Sequence, residues 1–168
     1  MSPVNETAVS EEVMRQIAPI ISKYQGQPDM LMRMLLEIQE ITGNAIPQNV
    51  AVYISRATDI PVAKIFDFTH FYSMFSAKQR GHYVIQMCDS APCHVCGSKK
   101  VAQSLIEALG LSKAGETTSD GVFTFEYCQC LGVCDHSPAA LIGDQVYGDL
   151  TEASAKELIS ELRNGVDL

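Results

Sequence analysis

All six cysteines of this 168-residue chain fall between Cys88 and Cys134. They form two clusters, CDSAPCHVC with Cys88, Cys93 and Cys96, and CQCLGVC with Cys128, Cys130 and Cys134. The stretch between them reads as a helix followed by a strand. A fold that brings two thiolate-bearing loops together makes a metal site, so the chain must be organised around that meeting.

The length suits one ordinary domain or two small ones, and 46% apolar content supports a core. No apolar run reaches the roughly 18 to 20 residues of a membrane span, and MSPVNETAVSEEV reads as neither signal nor transit peptide. A cytoplasmic location without direct membrane insertion is therefore expected, where clustered cysteines bind metal or do redox chemistry more often than they pair. The net charge of −8 is uneven: residues 1–80 carry 7 basic and 8 acidic side chains, residues 81–168 carry 5 and 12. An acidic cysteine-bearing half repels phosphate and argues against nucleic acid as a partner.

The first half reads as helices. Residues 1–9 are polar and expected to fray; Ser10 then caps a helix with Glu11 and Glu12 in its first turn. Val13, Ile17, Ile20, Ile21 and Tyr24 recur at helical spacing, although Pro19 is expected to kink or interrupt them. A second helix follows QGQPD, with Met30, Met34, Leu35, Ile38 and Ile41 on one face, and stops at Gly43-Asn44. That methionine stripe reads as packing rather than as a soft-metal surface. Pro47 opens a third helix to about Ala57, and Pro61 a fourth to about Tyr72. Short turns make this an antiparallel helical unit.

From Gly81 the pattern changes. HYVIQM (82–87) is a strand that feeds the first cysteine loop, Gly97 to Leu109 is a helix with Val101, Leu105 and Leu109 inward, and Gly110 stops it. Val122 to Tyr127 alternates as a strand that enters the second cysteine loop. Ala139–Ile142 and Gln145–Tyr147 flank a Gly143-Asp144 hairpin turn, and Thr151 caps a last helix to about Arg163. Both cysteine loops should leave the same ends of neighbouring strands in an α/β layer arrangement.

Four uses of the cysteines compete. A disulfide framework conflicts with the expected compartment. Zinc could take Cys93-x2-Cys96 with two later cysteines, giving a zinc-stabilised interaction module with no redox role. A dithiol centre could use Cys93-His-Val-Cys96 but leaves the second cluster idle. An iron–sulfur cluster could use plant-type spacing, Cys88-x4-Cys93-x2-Cys96 with a distant fourth ligand, or two pairs, Cys88-x4-Cys93 and Cys130-x3-Cys134. Two pairs suit a [2Fe-2S] core better, because its thiolates carry net negative charge and need backbone N–H donors, which Gly132 allows to approach. A Rieske arrangement lacks its second Cys-x2-His. His94 and His136 read as neighbours of ligands rather than ligands.

The runs CDSAPCHVCG and TTSDGVFTFEYCQCLGVCDHSPAALIGDQVYGDLT resemble the thioredoxin-like [2Fe-2S] ferredoxins, and DFTHFYSMF before GHYVIQMC extends the likeness upstream. This family includes the two-iron subunit of the NADH-dehydrogenase module of complex I and its counterparts in NAD-linked hydrogenases and formate dehydrogenases. The resemblance implies an α/β chain: an N-terminal helical bundle (1–80), then a thioredoxin-like domain (81–168) with a mixed four-stranded sheet. It implies Cys88, Cys93, Cys130 and Cys134 as ligands of one [2Fe-2S] cluster. Cys96 and Cys128 depart from the family's four, either as inert small residues or as substitute ligands. Pro138 falls where such folds keep a cis proline.

The resemblance further implies an electron-transfer subunit of a multisubunit NAD(P)(H)-linked oxidoreductase, be it a complex I-type dehydrogenase, hydrogenase, formate dehydrogenase or electron-bifurcating enzyme. It would be non-catalytic, exchanging single electrons with a flavin. The chain has no strand-linked GxGxxG and no P-loop, so FMN and NAD(P) are expected on a partner, an NAD(P)H-binding flavin/iron–sulfur subunit. Apolar surface on the helical half is the expected docking face. The net of −7 around the cysteines argues for a low reduction potential.

Overall fold

The structure is a computed structural model and describes residues 10–165; the expected fraying of residues 1–9 lies outside them. The chain divides into two compact units, Met1–Gln79 and Arg80–Leu168.

The first unit holds α1 (Glu11–Tyr24), α2 (Leu31–Ile41), α3 (Gln48–Thr58) and α4 (Val62–Phe71). Ser10 caps α1 through its hydroxyl, which accepts from the Val13 N–H. Pro19 does not interrupt α1. It lies on the exposed side of the helix, where water can serve the carbonyl one turn back that loses its donor. Ile17, Ile21, Met34, Leu35, Ile38, Ile54 and Ile65 fill the core between the helices. Of the expected stripe on α2, Met34, Leu35 and Ile38 are buried, whereas Ile41 sits at the helix end and Met30 in the 3-10 turn Pro28–Met30, both exposed. Pro47 and Pro61 stand at the N-caps, one residue ahead of the helices they open.

The second unit holds β1 (Tyr83–Cys88), α5 (Ala91–Val95), α6 (Ser98–Leu109), β2 (Glu116–Thr117), β3 (Phe123–Cys128), β4 (Ala140–Ile142), β5 (Gln145–Tyr147) and α7 (Glu152–Asn164). The sheet has five strands, in the order β2-β3-β1-β4-β5, one more than the four expected. The extra strand, β2, is two residues long and polar, too short for alternation to reveal. It forms because the chain after α6 returns antiparallel along β3, Glu116 opposite Phe125 and Thr117 opposite Thr124. The β1–β3 pair is parallel, and β4 and β5 add antiparallel strands on the other side of β1.

Helices α6 and α7 pack together, and their apolar faces share one core with Ile85, Met87, Phe123, Phe125 and Ile142. Phe123 and Phe125 are fully buried, so truncating either to Ala should cost about 3–5 kcal/mol. Thr124 is a buried polar side chain whose hydroxyl accepts from the Gly81 N–H at 2.6 Å and meets the Thr117 hydroxyl at 2.7 Å. Gly81 itself runs against the Phe123 backbone, with no space for a Cβ.

Candidate metal centre

Cys88 is the last residue of β1 and lies opposite Cys128, the last residue of β3, in the parallel register. The two loops therefore leave one end of the sheet side by side. After Cys88 the chain turns at Asp89-Ser90 into α5, which carries Cys93 inward with 3% exposure; Cys88 is 2% exposed. After Cys128 the chain leaves the sheet, turns through Leu131-Gly132-Val133, and enters the 3-10 turn Cys134–His136. Cys130 and Cys134 flank that turn and are exposed.

Their Sγ atoms are 3.5 Å apart. With metal–sulfur bonds of about 2.3 Å and tetrahedral angles, two thiolates on one metal stand about 3.7 Å apart, so this pair fits a shared ion. Gly132 has φ +82°, a turn conformation that favours glycine, and its N–H donates to Cys130 Sγ, 3.4 Å away. Cys88 belongs to the other pair. Burial would push its thiol up, but the Ser90 N–H, the Cys93 thiol and the Leu131 N–H outweigh it, and the group ends below its ordinary value. Cys134 is pushed up by its hydrogen bond with Cys130, then by burial, then by the negative charge of Cys130, Cys93 and Cys88.

All four thiols thus lie within electrostatic reach of one another, and as thiolates they would repel. A cationic iron core relieves that repulsion, and the N–H donors offset the remaining negative charge, so these residues fit a [2Fe-2S] group. Among the described residues, no group of three or more His, Cys, Asp or Glu side chains converges on one centre. All six cysteines are free.

The remaining cysteines take different places. Cys96 is exposed at the end of α5. Cys128 donates its S–H to the Gln86 carbonyl at 3.4 Å and is pushed up to about 11, chiefly by burial and then by Cys88, Cys93 and Cys130. It is poised to stay a thiol. The Ser137–Pro138 peptide is cis, as expected for Pro138. His136 and His94 lie beside the loops: His136 Nδ1 is 2.8 Å from Asp149 Oδ2, and His94 Nδ1 is 4.0 Å from Asp89.

Sequence reasoning missed the loop's outer brace. The Asp149 N–H donates to the His136 carbonyl at 2.8 Å and the Leu150 N–H to the Pro138 carbonyl at 3.0 Å, which zips 136–138 to the lead-in of α7. It also missed Ser137, whose hydroxyl donates to the Cys134 carbonyl at 2.8 Å and accepts from the Cys93 thiol at 3.4 Å. The only hint was a hydroxyl residue before Pro138.

Two thiol pairs at the matched ends of parallel strands, on a sheet packed against two helices, suit an iron–sulfur electron carrier of thioredoxin-like build. Residues 17–163 match the model of the thioredoxin-like [2Fe-2S] ferredoxins, and the chain belongs to that family. It is 35% identical over 147 residues to the E-type subunit of NADH-quinone oxidoreductase from Rickettsia felis, covering 86% of this chain and 87% of the relative. It is 29% identical over 148 residues to an E-type subunit of NADH-quinone oxidoreductase from Rhizobium meliloti, covering 88% and 87%. In fold it is similar to a chain in the crystal structure of an NAD+-reducing [NiFe]-hydrogenase in the H2-reduced state, with TM-score 0.64 and 24% identity over 72% of this chain. The match spans only 20% of that hydrogenase chain. Among the described residues no helix is long and apolar enough to cross a membrane.

Proposed function

We propose that this chain is the [2Fe-2S] electron-transfer subunit of an NAD(P)(H)-linked oxidoreductase complex, with Cys88 and Cys93 holding one iron and Cys130 and Cys134 the other. The observation that carries the reading is the paired arrangement: Cys88 and Cys93 buried at the end of β1, and Cys130 and Cys134 exposed with Sγ atoms 3.5 Å apart. When bound, the cluster supplies one-electron redox chemistry, which lets a partner's flavin pass on a hydride's electrons singly.

The chain's own residues do the holding. Cys88 and Cys93 enclose the inner side away from water, and the Gly132 N–H donates to the Cys130 sulfur at 3.4 Å. The acids on the same unit, Asp89 and Asp135 among them, oppose further negative charge and favour a low potential. FMN and NAD(P) are assigned to a partner flavin/iron–sulfur subunit. The names of the Rickettsia and Rhizobium relatives support an NADH-linked complex of that kind. Residues 1–80 serve docking in this reading, supported by Val62, Phe66 and Phe71, which face solvent on α4. Residues 81–168 carry the cluster, and the assembly works on the cytoplasmic side.

Anaerobically purified protein should be red-brown, contain about two irons and two acid-labile sulfides per chain, and give a paramagnetic signal after dithionite. One colourless zinc per chain would replace this reading with the zinc-stabilised interaction module. Co-purification should bring down a flavoprotein that oxidises a nicotinamide nucleotide.

A further inference from the structure

We propose that Ser137 tunes the reduction potential of the centre by donating an O–H···S hydrogen bond to Cys93, an assignment that rests on Cys93 being a ligand. With Cys93 as a thiol, its S–H donates to Ser137 Oγ at 3.4 Å, and the Ser137 hydroxyl donates onward to the Cys134 carbonyl at 2.8 Å. Metal ligation removes the thiol proton. Cys93 then has nothing to donate, and two acceptors would face each other at its buried sulfur.

The contact survives only if the hydroxyl turns and gives its proton to the sulfur. The turn is inexpensive, because Cys134 is exposed and water can take over its carbonyl. The reverse does not hold, since Cys93 is 3% exposed and water has little access to its sulfur. Ser137 is held in place on either side: the His136 carbonyl accepts from the Asp149 N–H and the Pro138 carbonyl from the Leu150 N–H. One side chain therefore touches a ligand of the first pair while standing three residues beyond a ligand of the second.

A hydrogen bond to a ligand thiolate is stronger when the site carries more negative charge. It therefore favours the reduced form, and its loss lowers the potential. Ser137→Ala and Ser137→Thr in the full chain test this by redox titration followed by electron paramagnetic resonance, with exchangeable-proton couplings measured after transfer to D2O.

Ser137→Ala should keep two irons and the visible spectrum. Its midpoint should fall by about a tenfold change in the reduction equilibrium constant, about 59 mV for one electron, and one exchangeable-proton coupling should vanish. Ser137→Thr should keep both the midpoint and the coupling. A Ser137→Ala protein at the wild-type potential overturns the proposal. So does one that cannot retain two irons, because the hydroxyl would then hold the loop rather than tune the sulfur. Wild-type protein lacking iron and sulfide sinks the cofactor assignment itself, an outcome distinct from either.

Discussion

His136 and Asp149 face each other across 2.8 Å, and the backbone N–H of Asp149 returns to the carbonyl of the same histidine at 2.8 Å. This double link ties the loop behind Cys134 to the turn that opens α7. The link lies at the surface, so each part contributes modestly, but its position beside the proposed ligand Cys134 gives it leverage over metal retention. Asp149→Ala should release iron to a chelator about threefold faster than wild type, with the unfolding transition little changed. Asp149→Asn, which can still accept, should fall between. Bleaching rates of the visible band check this, and equal rates for all three proteins would remove the brace.

Gly148 stands under the same histidine. A Cβ there would lie 2.6 Å from His136 Cβ and 2.9 Å from its carbonyl oxygen, and the latter is backbone and cannot swing aside. Gly148→Ala should destabilise the second unit by about 1–3 kcal/mol and lower its iron content together with its Tm. Gly81→Ala, which meets the Phe123 backbone at 2.7 Å, should destabilise comparably far from the loops and is the matched control. Chemical denaturation with iron analysis separates the two.

The proposed ligand set predicts an asymmetric response to serine substitution. Cys96→Ser and Cys128→Ser should keep the [2Fe-2S] spectrum, the first because Cys96 is exposed at the end of α5, the second because its S–H is committed to Gln86. Cys88→Ser, Cys93→Ser, Cys130→Ser and Cys134→Ser should each lose or markedly alter it. A protein that keeps its spectrum without Cys130 but loses it without Cys96 would restore the plant-type pairing.

In the first unit, Glu37 accepts from Lys23 Nζ at 2.8 Å and from the Tyr24 hydroxyl at 2.5 Å. Those two donors, the Lys23 ammonium first, hold the Glu37 carboxyl below its ordinary 4.5. Because the folded value is the lower one, the contribution is complete above pH 4.5 and fades as pH falls through the folded value. Thermal melts from neutral to acid pH should therefore show Glu37→Gln less stable than wild type at pH 7, with the difference shrinking toward acid. A difference that grows toward acid would contradict the pairing.

Periodicity and capping residues were enough for the six long helices and for β1 and β3, since Val101, Leu105 and Leu109, or Met34, Leu35 and Ile38, mark one face at helical spacing. It failed where local chemistry does not announce itself. Strand β2 exists only because β3 offers it partners, and α5 spans five residues inside a stretch dominated by its cysteines. Pro19 does not end α1, and it sits on the exposed side, where water can reach the carbonyl that loses its donor. Within the site, cysteine spacing offered the two pairs as candidates beside the plant-type set. Leu131, Ser137 and Asp149 act through a backbone N–H, a hydroxyl and a turn, and residue type alone does not reveal such roles.

The in-phase alignment of Cys88 with Cys128 sets a gauge for the whole centre. Each step along a strand advances about 3.3 Å, so sliding β3 by two residues against β1 would carry Cys130 and Cys134 more than about 6 Å past their counterparts, farther than any iron core could bridge. A slide by one would turn Phe123 and Phe125 out of the core. The apolar interior of the sheet is thereby the measuring instrument for the metal cradle.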